Sequence, residues 1–244
     1  MIVLRSILFA LVFYGLSLFW VLWAIVIAPF GERAVIYAAT RWSRFHRGCA
    51  RILLGQKVEV VGTLPSQPML CIFKHESMFE AIDLLCLFDA PIVAAKKELT
   101  DMPLWGKAAR LYGLIPVERT AGPSAMRAMR KAALAGLAKG RSICLFPEGT
   151  RVPHGETPEL RAGFAGLYML LKVPVVPIAV NSGVVAPRRS WLKRPGTITY
   201  LVGETIPPGL PREEAEARVH HAINALNRSD ASAGTTATDP APLN

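Results

Sequence analysis

The sequence predicts an α/β fold: a largely parallel, seven-stranded sheet covered by helices, with an N-terminal membrane-anchoring helical segment. Three observations carry this reading. Short apolar or β-branched runs recur along the chain, segments with helical spacing lie between several of them, and a stretch without charge from Ser6 to Phe30 precedes them all. Alternation of strands and helices is the pattern of a parallel sheet with helical crossovers. A chain of 244 residues, 52% of them hydrophobic, is long enough for one such domain and an appendage. The expected organisation is a membrane anchor and basic amphipathic helix over 1–54, an α/β domain over 55–228 and a disordered tail over 229–244, where large apolar residues are almost absent.

The elements follow in order. A bilayer crossing needs about 20 apolar residues, and Ser6 to Phe30 meets that length. A cleaved secretory signal has an apolar core of about 7 to 15 residues, so this run is too long for one. Phe9, Phe13, Phe19, Trp20 and Trp23 suit lipid better than a buried core helix, the remaining alternative. Next, over 33–53, helical spacing gathers Val35, Ala38, Trp42, Phe45, Cys49 and Ile52 within an arc of roughly 100°, with Arg41, Arg44, Arg47 and Arg51 opposite. Such a helix lies on an anionic membrane or packs on the domain, and the sequence leaves both open. Only Arg5 precedes the apolar run, whereas five arginines follow it by position 51, which places the domain on the cytoplasmic side.

Strands are expected at KVEVV (57–61), MLCIF (69–73), IVAA (92–95), LIPV (114–117), SICLF (142–146), VVPIAV (175–180) and TITYLV (197–202). Helical spacing occupies 77–88, 101–111, 124–139, 163–172 and 212–227. Cys49, Cys71, Cys86 and Cys144 show neither CxxC nor zinc spacing, so they read as reduced thiols and no metal site is expected. The net charge of +10 suggests nucleic acid at first, but no nucleic-acid motif accompanies it. The basic residues cluster after the anchor and in RRSWLKR (188–194), which fits lipid head groups or other phosphates.

Polar groups collect just past the strand ends. His75 follows MLCIF, Lys96 and Lys97 follow IVAA, Arg119 follows LIPV, and Glu148, Gly149, Thr150 and Arg151 follow SICLF. In an open α/β sheet that edge is where ligands bind, so four strands point to one crevice. In KHESMFEAID (74–83), Ser77 and Glu80 form an S-x-x-E capping box, with Ser77 as N-cap. With the helix beginning after His75, Glu80 is also able to hold one ring nitrogen while the other serves as a base. Capping alone remains the rival reading, and Glu76 and Asp83 are lesser candidates for the partner. No G-x-S-x-G elbow is present, so direct activation of a substrate hydroxyl is simpler than a covalent acyl-enzyme. Arg119, Arg151 and the backbone at Gly149 suit a phosphate on that substrate.

These residues resemble a known family. HESMFE looks like the H-x4-D block of the glycerolipid acyltransferases; GLIPVER (113–119), FPEGTR (146–151) and VPVVPI (173–178) resemble their second, third and fourth blocks, in order. The resemblance is greatest to the bacterial 1-acyl-sn-glycerol-3-phosphate acyltransferases. It implies acyl transfer from acyl carrier protein or coenzyme A to the 2-hydroxyl of lysophosphatidic acid, without metal or other cofactor, at the inner membrane of a bacterium. By position, His75 is then the base, Glu80 replaces the family's aspartate, and Arg119 with Glu148, Gly149, Thr150 and Arg151 binds the glycerol phosphate. Other readings stay open: a different lysolipid acceptor such as a lyso-ornithine lipid, a non-catalytic membrane lipid-binding protein, and a hydrolase.

Overall fold

The computed structural model describes residues 1–117 and 122–227, with side chains omitted over 122–125. Arg119 and the expected tail lie outside the described residues. The sheet has seven strands: β1 Gln56–Val61, β2 Leu70–Phe73, β3 Ile92–Lys96, β4 Ile115–Val117, β5 Ile143–Leu145, β6 Val175–Val180 and β7 Gly196–Val202. Their spatial order is β1-β7-β6-β2-β5-β3-β4, and every neighbouring pair is parallel except β6–β7. The predicted α/β class and strand set therefore hold. The antiparallel pair arises because the connection from Val180 to Gly196 contains only a single helical turn, Ser182–Val185, and no crossover helix over the sheet.

Strand periodicity divides the core into two layers. Cys71 and Phe73 of β2 face one side with Phe79, Ile178 and Tyr200; Leu70 and Ile72 face the other with Phe164, Leu167 and Val219. Both faces are dry, which is why these runs read as continuous apolar stretches. Helices cover the sheet: α1 Ile2–Phe30, α2 Glu32–Cys49, α3 Phe79–Leu87, α4 Trp105–Tyr112, α5 Gly122–Ala138, α6 Ala162–Leu171 and α7 Arg212–Ile223.

The N-terminal segment folds back on itself. Gly31, at φ 98° and ψ 177°, occupies a region essentially closed to other residues, and there the chain reverses from α1 into α2. The hairpin lies along the domain over its whole length. Near one end, Lys193 donates its backbone N–H to Ser6 Oγ at 2.9 Å, and Arg5 Nε donates to Leu53 O at 2.7 Å. At the other, Glu32 accepts from Lys139 and Arg141 at 2.7 and 2.8 Å. Phe9 and Phe13, expected to meet lipid, are buried in the same core as Phe73 and Ile178; their side of α1 meets α2 and the sheet. The apolar stripe of α2 packs inward as well: Val35, Ala38 and Cys49 are buried, and only Ile52 of the predicted arc is exposed. Arg47, predicted opposite the apolar arc and among lipid phosphates, instead forms two hydrogen bonds to Asp83, at 2.6 and 2.7 Å.

His46 of α2 sits among the rings of Phe9, Phe13 and Phe79, with centroids at 6.0, 4.7 and 4.9 Å. Its Nδ1 has no hydrogen-bond partner among the described residues. Burial, reinforced by the charge of Arg47, lowers its pKa from 6.5 to about 3. The unfolded chain therefore takes up this proton first as pH falls. The stabilising contribution is complete above pH 6.5 and drains away towards pH 3. In detergent micelles, the unfolding stability of the protein is expected to fall by about 2 kcal/mol between roughly pH 7.5 and pH 5 through this group. In a His46→Leu variant, thermal melts at the two pH values should lack that component; an unchanged pH dependence would show that His46 does not supply it.

Candidate active site

The site begins where β2 ends. Lys74, the first residue past the strand, is fully buried, and its ammonium is 2.7 Å from Glu148 Oε1, 2.7 Å from Glu156 O and 2.8 Å from Asn224 Oδ1. The other Glu148 oxygen accepts the backbone N–H of His75 at 2.8 Å. His75 O in turn accepts from Val152 N–H at 2.7 Å. The turn after β2 and the FPEGTR loop after β5 are thus bolted together on both sides of His75. Burial raises the pKa of Glu148, with Lys74 and the His75 N–H opposing that shift.

Glu80 holds the imidazole. Its Oε1 lies 2.9 Å from His75 Nδ1 and accepts the N–H groups of Glu76 and Ser77, each at 2.7 Å. Its Oε2 accepts the Ser182 hydroxyl at 2.6 Å. All four contacts are donors, as an acceptor-only carboxylate requires, so His75 carries its proton on Nδ1. Phe146 stacks against the imidazole at 4.1 Å between centroids, leaving the ring fixed but 16% exposed. Its Nε2 has no hydrogen-bond partner among the described residues. That is the geometry of an oriented base with one open nitrogen.

The two readings of Glu80 merge here. The helix starts at Phe79 with Met78 as its N-cap, one residue later than expected. Ser77 Oγ reaches Phe79 N–H at 3.3 Å instead of Glu80 N–H, so only the Glu80 half of the capping box forms. The additional methylene of glutamate is absorbed without loosening the histidine contact.

Other carboxylates have separate duties. Asp83 is committed to Arg47 and to the Tyr200 hydroxyl at 3.0 Å, and does not hold His75. Glu76 pairs with His154 Nδ1 at 2.9 Å and accepts Gly183 N–H at 2.8 Å; burial pushes its pKa up to about 7. A Cβ at Gly183 would lie 2.9 Å from Glu76 Oε2, so glycine permits that approach. Glu148, expected to bind substrate, is turned inward because both of its oxygens are occupied by Lys74 and the chain at His75. Gly149 closes the loop through its N–H to Phe146 O at 3.0 Å, with Thr150 and Arg151 following on partly exposed chain. Lys96 and Lys97 are exposed at the end of β3, two positions from β2 in the sheet, and neither lines the cleft described next. Lys74, His154 and Ser182 were missed, since their partners lie far away in the chain.

Next to the turn that carries His75 lies a cleft of about 440 Å³. Phe9, Phe13, Leu54, Phe79 and Ile82 give it apolar walls, and Ser77 and Met78 are the lining residues nearest His75 in the chain, His75 itself not being one of them. Arg151 and Lys193 also line it. Burial, followed by the charge of Arg151, lowers the Lys193 pKa, and neither cation has a carboxylate partner among the described residues. A largely apolar cleft whose lining includes cations without a carboxylate partner matches a chain attached to an anionic group.

Fold and site together define a class: an α/β protein with a carboxylate-held histidine at the carboxyl edge of its sheet. The chain belongs to the acyltransferase family, whose model, described as Acyltransferase, matches residues 55–181. It is 31% identical to the 1-acyl-sn-glycerol-3-phosphate acyltransferase of Pseudomonas aeruginosa, over 98% of this chain and 93% of that protein. It is 29% identical to the yeast (Saccharomyces cerevisiae) protein of the same name, over 78% of this chain and 65% of that one. The human alpha form is 31% identical over 54% of this chain, and about half of its own length is spanned. Among solved structures, the 1-acyl-sn-glycerophosphate (LPA) acyltransferase of Thermotoga maritima shares the fold, with a TM-score of 0.75 and 21% identity over 95% of this chain and 98% of that one.

Replacing Lys74 with Met leaves the Glu148 carboxylate buried without its counter-ion. The expected loss is about 3–5 kcal/mol in denaturant unfolding, and adding Glu148→Gln should recover part of it. A Lys74→Met protein as stable as the parent would show that the pair is not needed.

Proposed function

We propose that the protein transfers a fatty acyl group from coenzyme A or acyl carrier protein to the 2-hydroxyl of lysophosphatidic acid, giving phosphatidic acid. The observation that carries this is the His75–Glu80 pair on a turn whose next residues, Ser77 and Met78, line a largely apolar cleft also lined by Arg151 and Lys193. The names of the relatives support the same acceptor. His75 Nε2 removes the hydroxyl proton as the oxygen attacks the thioester carbonyl. A C–O bond forms, the C–S bond breaks, and the proton passes from the imidazolium to the departing thiolate. Glu80 keeps the proton on Nδ1 at the start and faces the charge that develops on the ring. The thioester is already activated, so the reaction draws on no cofactor; positioning and a base worth about 10²- to 10⁴-fold are the protein's share.

The acceptor phosphate is bound by Arg151 and Lys193 on this reading, with Arg119 as the contribution of the second block. The acyl chain lies in the cleft between Phe9, Phe13 and Phe79. The substrate is membrane-resident, and α1 supplies the membrane contact. At 29 residues α1 is about 43 Å long, more than the roughly 30 Å hydrocarbon thickness. Both of its ends are held on the domain, however, by Ser6 and by the adjoining Glu32. An upright crossing would tear those contacts. The helix therefore lies along one leaflet, presenting Leu4, Leu11, Leu18, Phe19 and Val26 to lipid. The arginines that follow α1 support the cytoplasmic leaflet of a bacterial inner membrane as its place.

Membranes containing the protein, supplied with lysophosphatidic acid and a labelled acyl thioester, are expected to form labelled phosphatidic acid. His75→Ala should abolish it, and Glu80→Ala should lower kcat by about 100-fold or more while the protein stays folded. Acylation of other lysolipids only would overturn the acceptor; no acylation with any donor would overturn the enzyme. Replacing Arg151 with Ala is expected to raise KM for lysophosphatidic acid about 10- to 100-fold, leaving KM for the donor within about twofold. Equal effects on both substrates would remove its assigned role.

A further inference from the structure

We infer that the segment 187–194, PRRSWLKR, is a second membrane contact: an interfacial anchor that meets anionic phospholipid head groups at the rim of the cleft. The inference rests on the placement of α1 in one leaflet. Between Ala186 and Pro195 the chain carries four cations, Arg188, Arg189, Lys193 and Arg194, around Trp191, and no acid. In the structure Trp191 is 61% exposed and has no ring partner, and Arg189 and Arg194 are exposed without a carboxylate partner among the described residues. An exposed indole flanked by unpaired arginines combines an amphipathic ring with groups that bind phosphate. It matches the head-group layer, where an amphipathic ring meets the acyl boundary and guanidinium groups meet phosphates.

The segment is a braced protrusion. Ser190 Oγ accepts Leu192 N–H at 3.2 Å, Lys193 Nζ donates to Ser190 O at 2.8 Å, and Gln56 Nε2 donates to Arg194 O at 3.0 Å. Its position is set by α1 itself, through Lys193 N–H to Ser6 Oγ at 2.9 Å and Ser6 Oγ to Lys193 O at 3.4 Å. Trp191 therefore stands beside the start of the helix whose exposed face carries Leu4 and Leu11. Ser6, Phe9 and Tyr14 of α1 and Arg189 and Trp191 of this segment border the same cleft. Both rims then meet the bilayer, and a lysolipid reaches His75 sideways, its chain never leaving apolar surroundings. Each basic residue near an anionic surface adds to the attraction, which salt screens.

The full-length protein, reconstituted in phosphatidylglycerol vesicles brominated on the acyl chains, provides the test. Of the five tryptophans, Trp20, Trp23 and Trp191 meet lipid on this reading, so in Trp191→Phe the bromine-quenched part of the emission is expected to drop by about one third, with Trp20 and Trp23 of α1 still quenched. Equal quenched emission in parent and variant would overturn the anchor alone, whereas no quenching in the parent would overturn the placement of α1. In flotation at low salt, Arg189→Gln/Arg194→Gln should lose several-fold of the preference for phosphatidylglycerol over phosphatidylcholine vesicles, a difference that vanishes at high salt. If flotation is unchanged and only transfer from acyl carrier protein falls, the patch serves an acidic carrier protein and the membrane assignment is wrong.

Discussion

The buried Lys74–Glu148 pair is the constraint on which the rest of the site depends. It joins two loops that leave neighbouring parallel strands, and its carboxylate also grips the backbone N–H of His75. Taking both charges out of water costs several kcal/mol, so the pair is a poor choice for stability alone. What it supplies is position. With Glu148 fixed, the chain at His75 has one height above the sheet, Val152 closes from the other side, and Phe146 sits against the ring. Glu80 then needs only to choose the tautomer. Ser182 and Gly183 extend the arrangement to the end of β6, one contacting Glu80 and the other Glu76.

The hairpin of α1 and α2 completes the other half of the site. Its inner face is part of the main core through Phe9, Phe13 and Cys49, and the outer face of α1 is largely apolar, whereas α2 exposes Arg33, Arg41 and Arg44. One helix thus has a side packed on protein and an exposed apolar side. The cleft forms along the line where this helix meets α3 and the 187–194 segment, so the apolar wall of the cleft and the apolar exterior belong to the same turns.

Much of the fold was legible because period and composition are local. The seven strands fall at their expected places within a residue or so, and VVPIAV coincides with β6 end to end. The reversal of β7 against β6 was not legible: nothing in TITYLV states its direction, which is set by a connection without a crossover helix. In the site, His75 and Glu80 announced themselves by spacing. Lys74, His154 and Ser182 stood out through no motif, because each acquires its role from a residue 74 or more positions away. Phe9 and Phe13 misled for a related reason. An aromatic residue on an apolar helix looks the same in sequence whether protein or lipid receives it.

The pairing of β1 with β7 carries a consequence for how the protein is made. Gln56 lies against Gly196 and Val61 against Leu201, so the first strand off the ribosome waits for the last before it has a neighbour. The core face of α1 waits with it, since its partners include Ile178, Ile198 and Tyr200. During synthesis some 140 residues separate the emergence of β1 from the emergence of its partner. Sheet closure is thus a late, long-range event of the kind that folds slowly. On the proposed reading, a bilayer that takes up the apolar helix over that interval would shield the surface most prone to aggregate, and the membrane would be a folding aid before it is a source of substrate.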